Sequence, residues 1–320
     1  MNQLKGKVNS KALLQKYGII LVMLVICILV SFMTDKFLSP SNIRSVARQV
    51  SINGALSIGM CFVILTGGID LSVGSLLALT ATVASLLGQS GMNWVLCVLI
   101  GSATGIFVGL LEGVLVARFK IAPFITTLAA MTICRGITQV ADGGTSVRSP
   151  GNAFDTFFGT GSIGPIPMPV FIMILMFVIA WFILEKTKLG RHIYAVGGNE
   201  KAARLSGVSP KKIKIIVYMI SGLCCSIAGY ITCARLSSVT PTAGSGAEMD
   251  AIAACVLAGV RMDGGKGSIG LVVIGVFIIG ILNNALNLIG VSSYWQDIVK
   301  GIVIVAAVLM EGITAHRSED

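Results

Sequence analysis

The chain has 320 residues, of which 55% are hydrophobic and only 12% are charged. Soluble domains carry about 25% charged residues, so this composition excludes a water-facing surface for most of the chain. The 38 glycines are typical of helices packed in lipid, where small residues let backbones approach closely. We therefore predict an all-α polytopic membrane protein, with residues 1–320 forming a single transmembrane domain.

The net charge of +10 comes from 24 lysines and arginines against 14 acidic residues. The sequence lacks the basic stripe interleaved with aromatic residues that is typical of nucleic-acid-binding proteins. The basic residues instead lie mostly between apolar blocks, where they orient the chain, because cytoplasmic loops carry the excess of Lys and Arg. We expect contact with membrane lipid and no nucleic-acid partner.

Ten apolar segments are predicted to cross the bilayer, whose core of about 30 Å takes about 20 helical residues. With ten spans, the strongly basic connections all fall on one side, which must be cytoplasmic. Both termini and the basic segment 186–212 are then cytoplasmic, and the Gly-, Ser-, Thr- and Pro-rich segment 142–167 is periplasmic. The predicted spans are 17–33, 43–65, 70–88, 94–117, 121–141, 168–185, 213–234, 248–261, 268–289 and 294–314.

The order of the spans suggests an inverted internal repeat. Spans 2–5 and 7–10 can be laid over one another as two four-helix units that enter the membrane from opposite sides. Residues 67–70 (Gly-Gly-Ile-Asp) open the second helix of the first unit, and residues 246–250 (Gly-Ala-Glu-Met-Asp) open that of the other. Inverted repeats with interrupted helices recur in transporters, so the eighth span is expected to be a broken or partial crossing.

Polar side chains inside spans are costly and therefore candidates for function. Asn283, Asn284 and Asn287 share one face of the ninth span, where they either line a hydrated passage for a hydroxyl-rich solute or hydrogen-bond to neighbouring helices. Asp70 either borders the same path or complements the positive end of the third span. Glu112 and Arg135 are expected to reach an interface by snorkelling or by a bend of the helix.

The fourth span carries a stripe of small residues. Gly101, Gly105, Gly109 and Gly113 follow one another at four-residue intervals, which leaves one helix face without side chains. Such a face lets another helix approach in van der Waals contact. The stripe predicts either a seam between two copies of the chain or packing against another helix of the same chain.

Sequence motifs for catalysis are lacking. The two histidines lie near membrane ends and cannot form an HExxH zinc site, and no G-x-S-x-G nucleophile motif occurs. The glycine run 264–268 is similar to a phosphate-binding loop, but Val260 replaces the first glycine that such a loop needs. We expect a tight turn there, no ATP hydrolysis by this chain, no catalytic residue, no metal and no cofactor.

The basic segment 186–212 contains a predicted short helix. Asn199 is a candidate N-cap, the helix runs to Leu205, and Gly207 supplies the stop. Glu200 and Arg204 are spaced i, i+4 and can stabilise the helix as a pair.

Three long strings carry a resemblance to a known family. Residues 66–75 (TGGIDLSVGS), 190–207 (GRHIYAVGGNEKAARLSG) and 282–296 (LNNALNLIGVSSYWQ) resemble the sugar permeases of the ribose/xylose/galactose ABC importer family, and the likeness extends over nearly the whole chain. The resemblance implies a multi-pass permease subunit of a bacterial inner membrane that translocates a monosaccharide such as ribose. The alternatives are an ABC permease for another small polar solute and an ion-coupled secondary transporter, which would need carboxylates central to the bundle.

The same resemblance implies partners and a contact segment. A homodimer of the permease would work with cytoplasmic ATP-binding subunits and a periplasmic sugar-binding protein. The short cytoplasmic helix would dock on the ATP-binding subunit, with a close approach permitted by its small alanines. The residues that the resemblance assigns to this coupling are Gly198, Asn199, Glu200, Ala202, Ala203, Arg204 and Gly207.

Overall fold

The computed structural model of the chain describes residues 23–25, 27–292, 294–302 and 305. Parts of the first and last predicted spans and both chain termini lie outside these residues. In the described part, residues 27–33 and 294–302 are helical. The other helices are α1 (Pro40–Leu65), α2 (Val73–Gln89), α3 (Trp94–Ala117), α4 (Pro123–Asp142), α5 (Asn152–Asp155), α6 (Met168–Lys186), α7 (Lys188–Gly198), α8 (Glu200–Leu205), α9 (Pro210–Leu236), α10 (Ala247–Leu257) and α11 (Ile269–Leu288).

Six of these helices are long and apolar enough to cross a membrane. They are 19 to 27 residues long, with apolar windows of mean hydropathy 1.3 to 2.4, and they are α1, α3, α4, α6, α9 and α11. The predicted third and eighth spans are shorter, because α2 has 17 residues and α10 has 11. The multi-pass helical architecture is confirmed, whereas the count of ten spans and the inverted repeat stay predictions.

Local sequence explains where several helices begin. Proline occupies the first turn of α1, α4, α6 and α9, where its missing N–H would have no helical partner in any case. Asn93 precedes α3, and its side-chain oxygen accepts a hydrogen bond of 2.9 Å from the backbone N–H of Val95. These residues end the preceding loops and fix the start of each apolar run.

Three of the six long helices are mostly buried. In the apolar windows, 83% of α1 and 61% of both α9 and α11 are buried, compared with 22% of α3 and α4 and 28% of α6. α9 packs against α1, α2 and α3, and α1 also contacts α6, α10 and α11. α3, α4 and α6 therefore present apolar side chains outward.

The glycine stripe of α3 packs against α9 of the same chain. A Cβ on Gly105 would lie 2.5 Å from the carbonyl oxygen of Gly222, and one on Gly113 would lie 2.7 Å from Cα of Ile215. Such distances leave no room for a side chain. Of the two interpretations of the stripe, packing within the chain is confirmed.

The segment 142–167 has more structure than its composition suggests. Strand β1 (Val147–Arg148) pairs antiparallel with β4 (Ser238–Val239), and β2 (Ser162–Ile163) pairs with β3 (Ile166–Pro167). A π-helical turn, residues 156–160, follows α5. Phe154 and Phe158 lie against Tyr230, with ring centroids 5.9 and 5.3 Å away. This aromatic contact holds the segment on the end of α9.

We expect Gly105→Ala to lower the free energy of unfolding by about 1–3 kcal/mol, because the added methyl group overpacks the contact with α9. Thermal unfolding of the purified chain in detergent measures the effect. The matched control is Gly136→Ala in α4, where a Cβ would meet nothing within 4 Å. Equal midpoints for the two variants would contradict the close approach of α3 and α9.

Candidate functional site

Two interrupted helices meet in the interior of the bundle. α2 begins after the non-helical residues 66–72, and α10 begins after the turns of residues 241–246. A Cβ on Gly74, in the first turn of α2, would meet the carbonyl oxygen of Gly244 and lie 2.7 Å from Oε2 of Glu248. The first turns of α2 and α10 therefore lie against each other. Non-helical backbone and paired helix N-termini at such depth are typical of transport sites.

Asp70 connects the segment before α2 to α9. Its side chain is fully buried, and Oδ1 accepts hydrogen bonds from the backbone N–H and the hydroxyl of Ser72 at 3.0 and 2.7 Å. Oδ2 accepts a hydrogen bond of 2.6 Å from the Ser221 hydroxyl. The carboxyl group thus lies next to the positive end of α2 and fixes the segment that precedes it.

Two further ionisable residues contact other parts of the chain, and for Glu112 the expectation that it reaches an interface is wrong. Glu112 is only 2% exposed, and neither carboxyl oxygen has a hydrogen-bond partner among the described residues. Arg135 donates from Nη1 to the carbonyl oxygens of Pro241 and Ala243, at 2.7 and 2.8 Å. Arg135 therefore fixes the non-helical turns that precede α10.

The asparagine face of α11 contacts its neighbours. Asn283 donates to Oδ2 of Asp250 at 2.9 Å, and Oδ1 of Asp250 lies 3.2 Å from Nζ of Lys300. The amides of Asn284 and Asn42 exchange two hydrogen bonds, at 2.9 and 3.0 Å.

Asn287 is exposed and accepts a hydrogen bond of 2.9 Å from Gln296. In this conformation the amides of the α11 face therefore make the interhelical hydrogen bonds that were one of the two predicted roles.

Three chain segments meet through glycines near the C-terminal end of α1. The N–H of Gly265 donates to the carbonyl oxygen of Leu65 at 3.0 Å, and a Cβ on Gly197 would meet both of these groups. Tyr194 donates to the carbonyl oxygen of Gly267 at 3.0 Å. We call this contact of α7, the end of α1 and the turn 264–268 the glycine junction. The expected tight turn at 264–268 is confirmed.

The predicted short helix is confirmed as α8. The side-chain oxygen of Asn199 accepts a hydrogen bond of 3.0 Å from the N–H of Ala202, and Gly207 follows with φ of 83°, where glycine carries no Cβ penalty. Helix α7, which leads directly into α8, was not predicted. Its last turn contributes Gly197 to the glycine junction, so α8 is connected to the centre of the bundle through a single short helix.

Glu200 anchors α8 to α9. Its carboxyl group lies 2.8 Å from Nζ of Lys214 and 3.4 Å from the guanidinium of Arg204. The hydrogen bond from Lys214 is the main cause that lowers the pKa of Glu200 below its ordinary value. Because the folded-state pKa is lowered, the stabilisation is present at neutral pH and is lost as the pH falls through that lowered value.

The sequence predicted that a partner approaches α8 through Ala202 and Ala203, but the apolar side chains that face solvent are Ala202 and Leu205. Ala202 is exposed, but Ala203 is only 5% exposed and packs against the chain itself. Leu205 is 90% exposed and was not predicted. Leu205 follows the inward-facing Ala203 by two residues, which places it on the opposite helix face. This spacing could have predicted its exposure from the sequence. A partner that docks on α8 would meet Ala202 and Leu205.

We expect Gly197→Ala to lower the free energy of unfolding by about 1–3 kcal/mol, because its Cβ overpacks the glycine junction. The measurement is the thermal unfolding midpoint in detergent, which should fall. Gly198→Ala, in the same helical turn, is the control, since a Cβ there would meet nothing within 4 Å. Equal loss of stability in both variants would show that the junction is not closely packed.

The chain was compared with known proteins. A family model described as "Branched-chain amino acid transport system / permease component" matches residues 42–308. The ribose import permease protein RbsC of Bacillus subtilis is 46% identical over 306 residues, which is 95% of each chain. RbsC of Escherichia coli K12 is 47% identical over 305 residues, 94% of this chain and 95% of its own. The D-allose transport system permease protein AlsC of Escherichia coli K12 is 39% identical over 309 residues, 96% and 94% of the two chains.

No solved structure matches the chain. The family model covers most of the chain, and the relatives align over nearly all of it at well over a third identity. The chain therefore belongs to this family of transport-system permease components.

Proposed function

We propose that the chain is the membrane-spanning permease subunit of an ATP-binding cassette importer for ribose or a related monosaccharide. The observation that carries this proposal is the identity of 46–47% with ribose import permeases over about 95% of both chains. Permease proteins for D-allose and L-arabinose are less similar, at 39% and 36–37%. Ribose is therefore the first candidate substrate, ahead of another small polar solute.

The proposed subunit is not itself an enzyme. Val260 stands where a phosphate-binding loop needs glycine, and residues 264–268 form a turn packed on the end of α1. A cytoplasmic ATP-binding subunit would supply the energy, and a periplasmic binding protein would deliver the sugar. Two copies of the permease would form the membrane core, since α4 and α6 present exposed apolar faces that lipid or a second copy can cover.

We further propose ten membrane crossings with both termini cytoplasmic, and an inverted repeat of spans 2–5 and 7–10. The proposal is supported by the two short helices, α2 and α10, which each follow a non-helical segment and meet at their first turns. They are the second helices of the two proposed units. Interrupted helices in corresponding positions of two halves are the recurrent sign of such a repeat.

Asp70, Asn283, Asn284 and Asn287 remain our candidates for the substrate path. Asp70 lies at the meeting point of the interrupted helices, and the asparagine face of α11 reaches the start of α10 through Asp250. Amides that hydrogen-bond to one another in one conformation can exchange those partners for sugar hydroxyls in another. The hydrogen bonds between the α11 amides and their neighbours would then form when no sugar occupies the path.

The coupling segment would consist of Gly198, Asn199, Glu200, Ala202, Ala203, Arg204 and Gly207, to which we add Leu205. This assignment is supported by the way α8 is attached to the rest of the bundle. α8 is anchored to α9 by Glu200 and Lys214, and it follows α7, which contacts both the end of α1 and the turn after α10 at the glycine junction. A displacement of α8 would thereby reach both interrupted helices.

Transport can be measured directly in proteoliposomes that contain the permease, the ATP-binding subunit and the sugar-binding protein. We expect ATP-dependent accumulation of labelled D-ribose that unlabelled D-ribose suppresses more strongly than D-allose or L-arabinose. Liposomes without ATP are the control. Uptake of leucine or valine in place of sugars would show that the family description, and not the similarity to ribose permeases, predicts the substrate.

Docking at α8 is tested by Leu205→Asp. We expect the variant to be extracted and folded like the unmodified chain, because Leu205 is 90% exposed, but to lose association with the ATP-binding subunit and sugar-stimulated ATP hydrolysis. Leu205→Met is the control, since it keeps an apolar side chain of similar size. Ala203 is unsuitable for this test because a large residue there would disturb the chain's own packing. Normal stimulated hydrolysis with Leu205→Asp would exclude α8 as the docking helix.

A further inference from the structure

A cavity lies beside the meeting point of the interrupted helices. It has a volume of about 260 Å³, is open on one side and is lined by α1, α2, α9 and the segment around the start of α10. Drug-sized ligands occupy pockets of about 300–1,000 Å³, so this volume suits a smaller solute. The polar side chains that line it are Gln49, Asn53, Thr232 and Arg235.

These polar side chains line the cavity with donors and acceptors that make no hydrogen bond within the described residues. Asn53 is only 9% exposed, yet its amide makes no hydrogen bond with another described residue, and the same is true of Gln49 and the Arg235 guanidinium. Thr232 donates to the carbonyl oxygen of Ala228 at 2.8 Å, which leaves its hydroxyl oxygen able to accept. Gln49, Thr232 and Arg235 are only partly buried, so the hydrogen-bonding groups that they do not use within the chain are accessible to a polar ligand.

The charge at the cavity is positive. Arg48 of α1 lies within electrostatic range of Arg235, and its Nε is buried with no partner among the described residues. No acidic side chain lines the cavity. A guanidinium offers five N–H donors in a fixed plane, which is suited to adjacent hydroxyl groups of one ligand.

The rest of the lining is apolar. Ile52, Leu77 and Leu236 contribute to it together with the small residues Gly244 and Ala247. A monosaccharide matches both parts of the lining: its hydroxyl groups donate and accept hydrogen bonds, and its C–H groups pack on apolar side chains. An inorganic anion would satisfy the guanidinium groups but not the apolar side chains.

We propose that this cavity binds the transported sugar, with Gln49, Asn53 and Arg235 hydrogen-bonding to its hydroxyl groups. The proposal rests on the proposed function and names a site for it. Gly244 and Ala247 form part of the wall, and Arg135 fixes the turns that contain Gly244 by its two hydrogen bonds. A movement of the start of α10 would therefore change the shape of the sugar site and connect binding to the conformation of the bundle.

The test uses the complete importer in proteoliposomes, with D-ribose as the probe. Gln49→Leu, Asn53→Leu and Arg235→Met each remove cavity-lining hydrogen-bond groups at nearly constant size. We expect each variant to transport about five- to tenfold less ribose per ATP hydrolysed, as the loss of one or two hydrogen bonds predicts, while the rate of ATP hydrolysis stays within about twofold. The control is Gln139→Leu, the same change on an exposed face of α4.

Asn53→Ser provides a second variant, since the serine hydroxyl can still donate and accept a hydrogen bond, and it is expected to show a smaller loss than Asn53→Leu. A merely structural role of these residues would lower hydrolysis and uptake together and leave their ratio unchanged, which would overturn the proposal. If the unmodified importer takes up D-ribose and all the cavity variants behave like Gln139→Leu, the cavity is not the sugar site although the proposed function stands. If the unmodified importer takes up no sugar, the proposed function itself fails.

Discussion

Peptide groups inside a bilayer must be paired, because hydrocarbon offers them no hydrogen-bond partner. The arrangement of this chain follows from that constraint. The non-helical segments before α2 and α10 are fixed by hydrogen bonds from Ser221 of α9 and Arg135 of α4, respectively. These side chains supply hydrogen bonds that lipid cannot provide. Asp70 accepts from the first segment and Arg135 donates to the second. The glycines of α3 allow α9 to lie close beside it.

The features that the sequence predicted are those carried by local pattern. Apolar run length located the membrane-crossing helices, and the N-cap Asn199 with the stop at Gly207 located α8, since capping depends only on neighbouring residues. The glycine spacing of α3 predicted a close contact but not its partner, because spacing describes one helix face only. The count of spans was less certain, since a helix that begins inside the bundle is shorter than a full crossing.

What the sequence did not predict depends on contacts between distant segments. The burial of Glu112, the contacts of Arg135 with the turns before α10, the aromatic contact of Phe154 with Tyr230 and the exposure of Leu205 all arise from tertiary packing. The cavity is a further example, because Gln49 and Arg235 are far apart in the chain and neither belongs to a recognisable motif. Only the helical arrangement of α1 beside α9 brings their side chains to one place.

The positive charge near the cavity has a consequence for ions. A path wide enough for a sugar is also wide enough for sodium ions and hydrated protons, whose leakage would dissipate the membrane potential. Fixed guanidinium groups beside a narrow passage raise an electrostatic barrier to cations, and neutral solutes do not experience it. Arg48 and Arg235 form no salt bridge with the described residues, so in the proposed importer their charges would oppose the leakage of cations while an uncharged sugar passes.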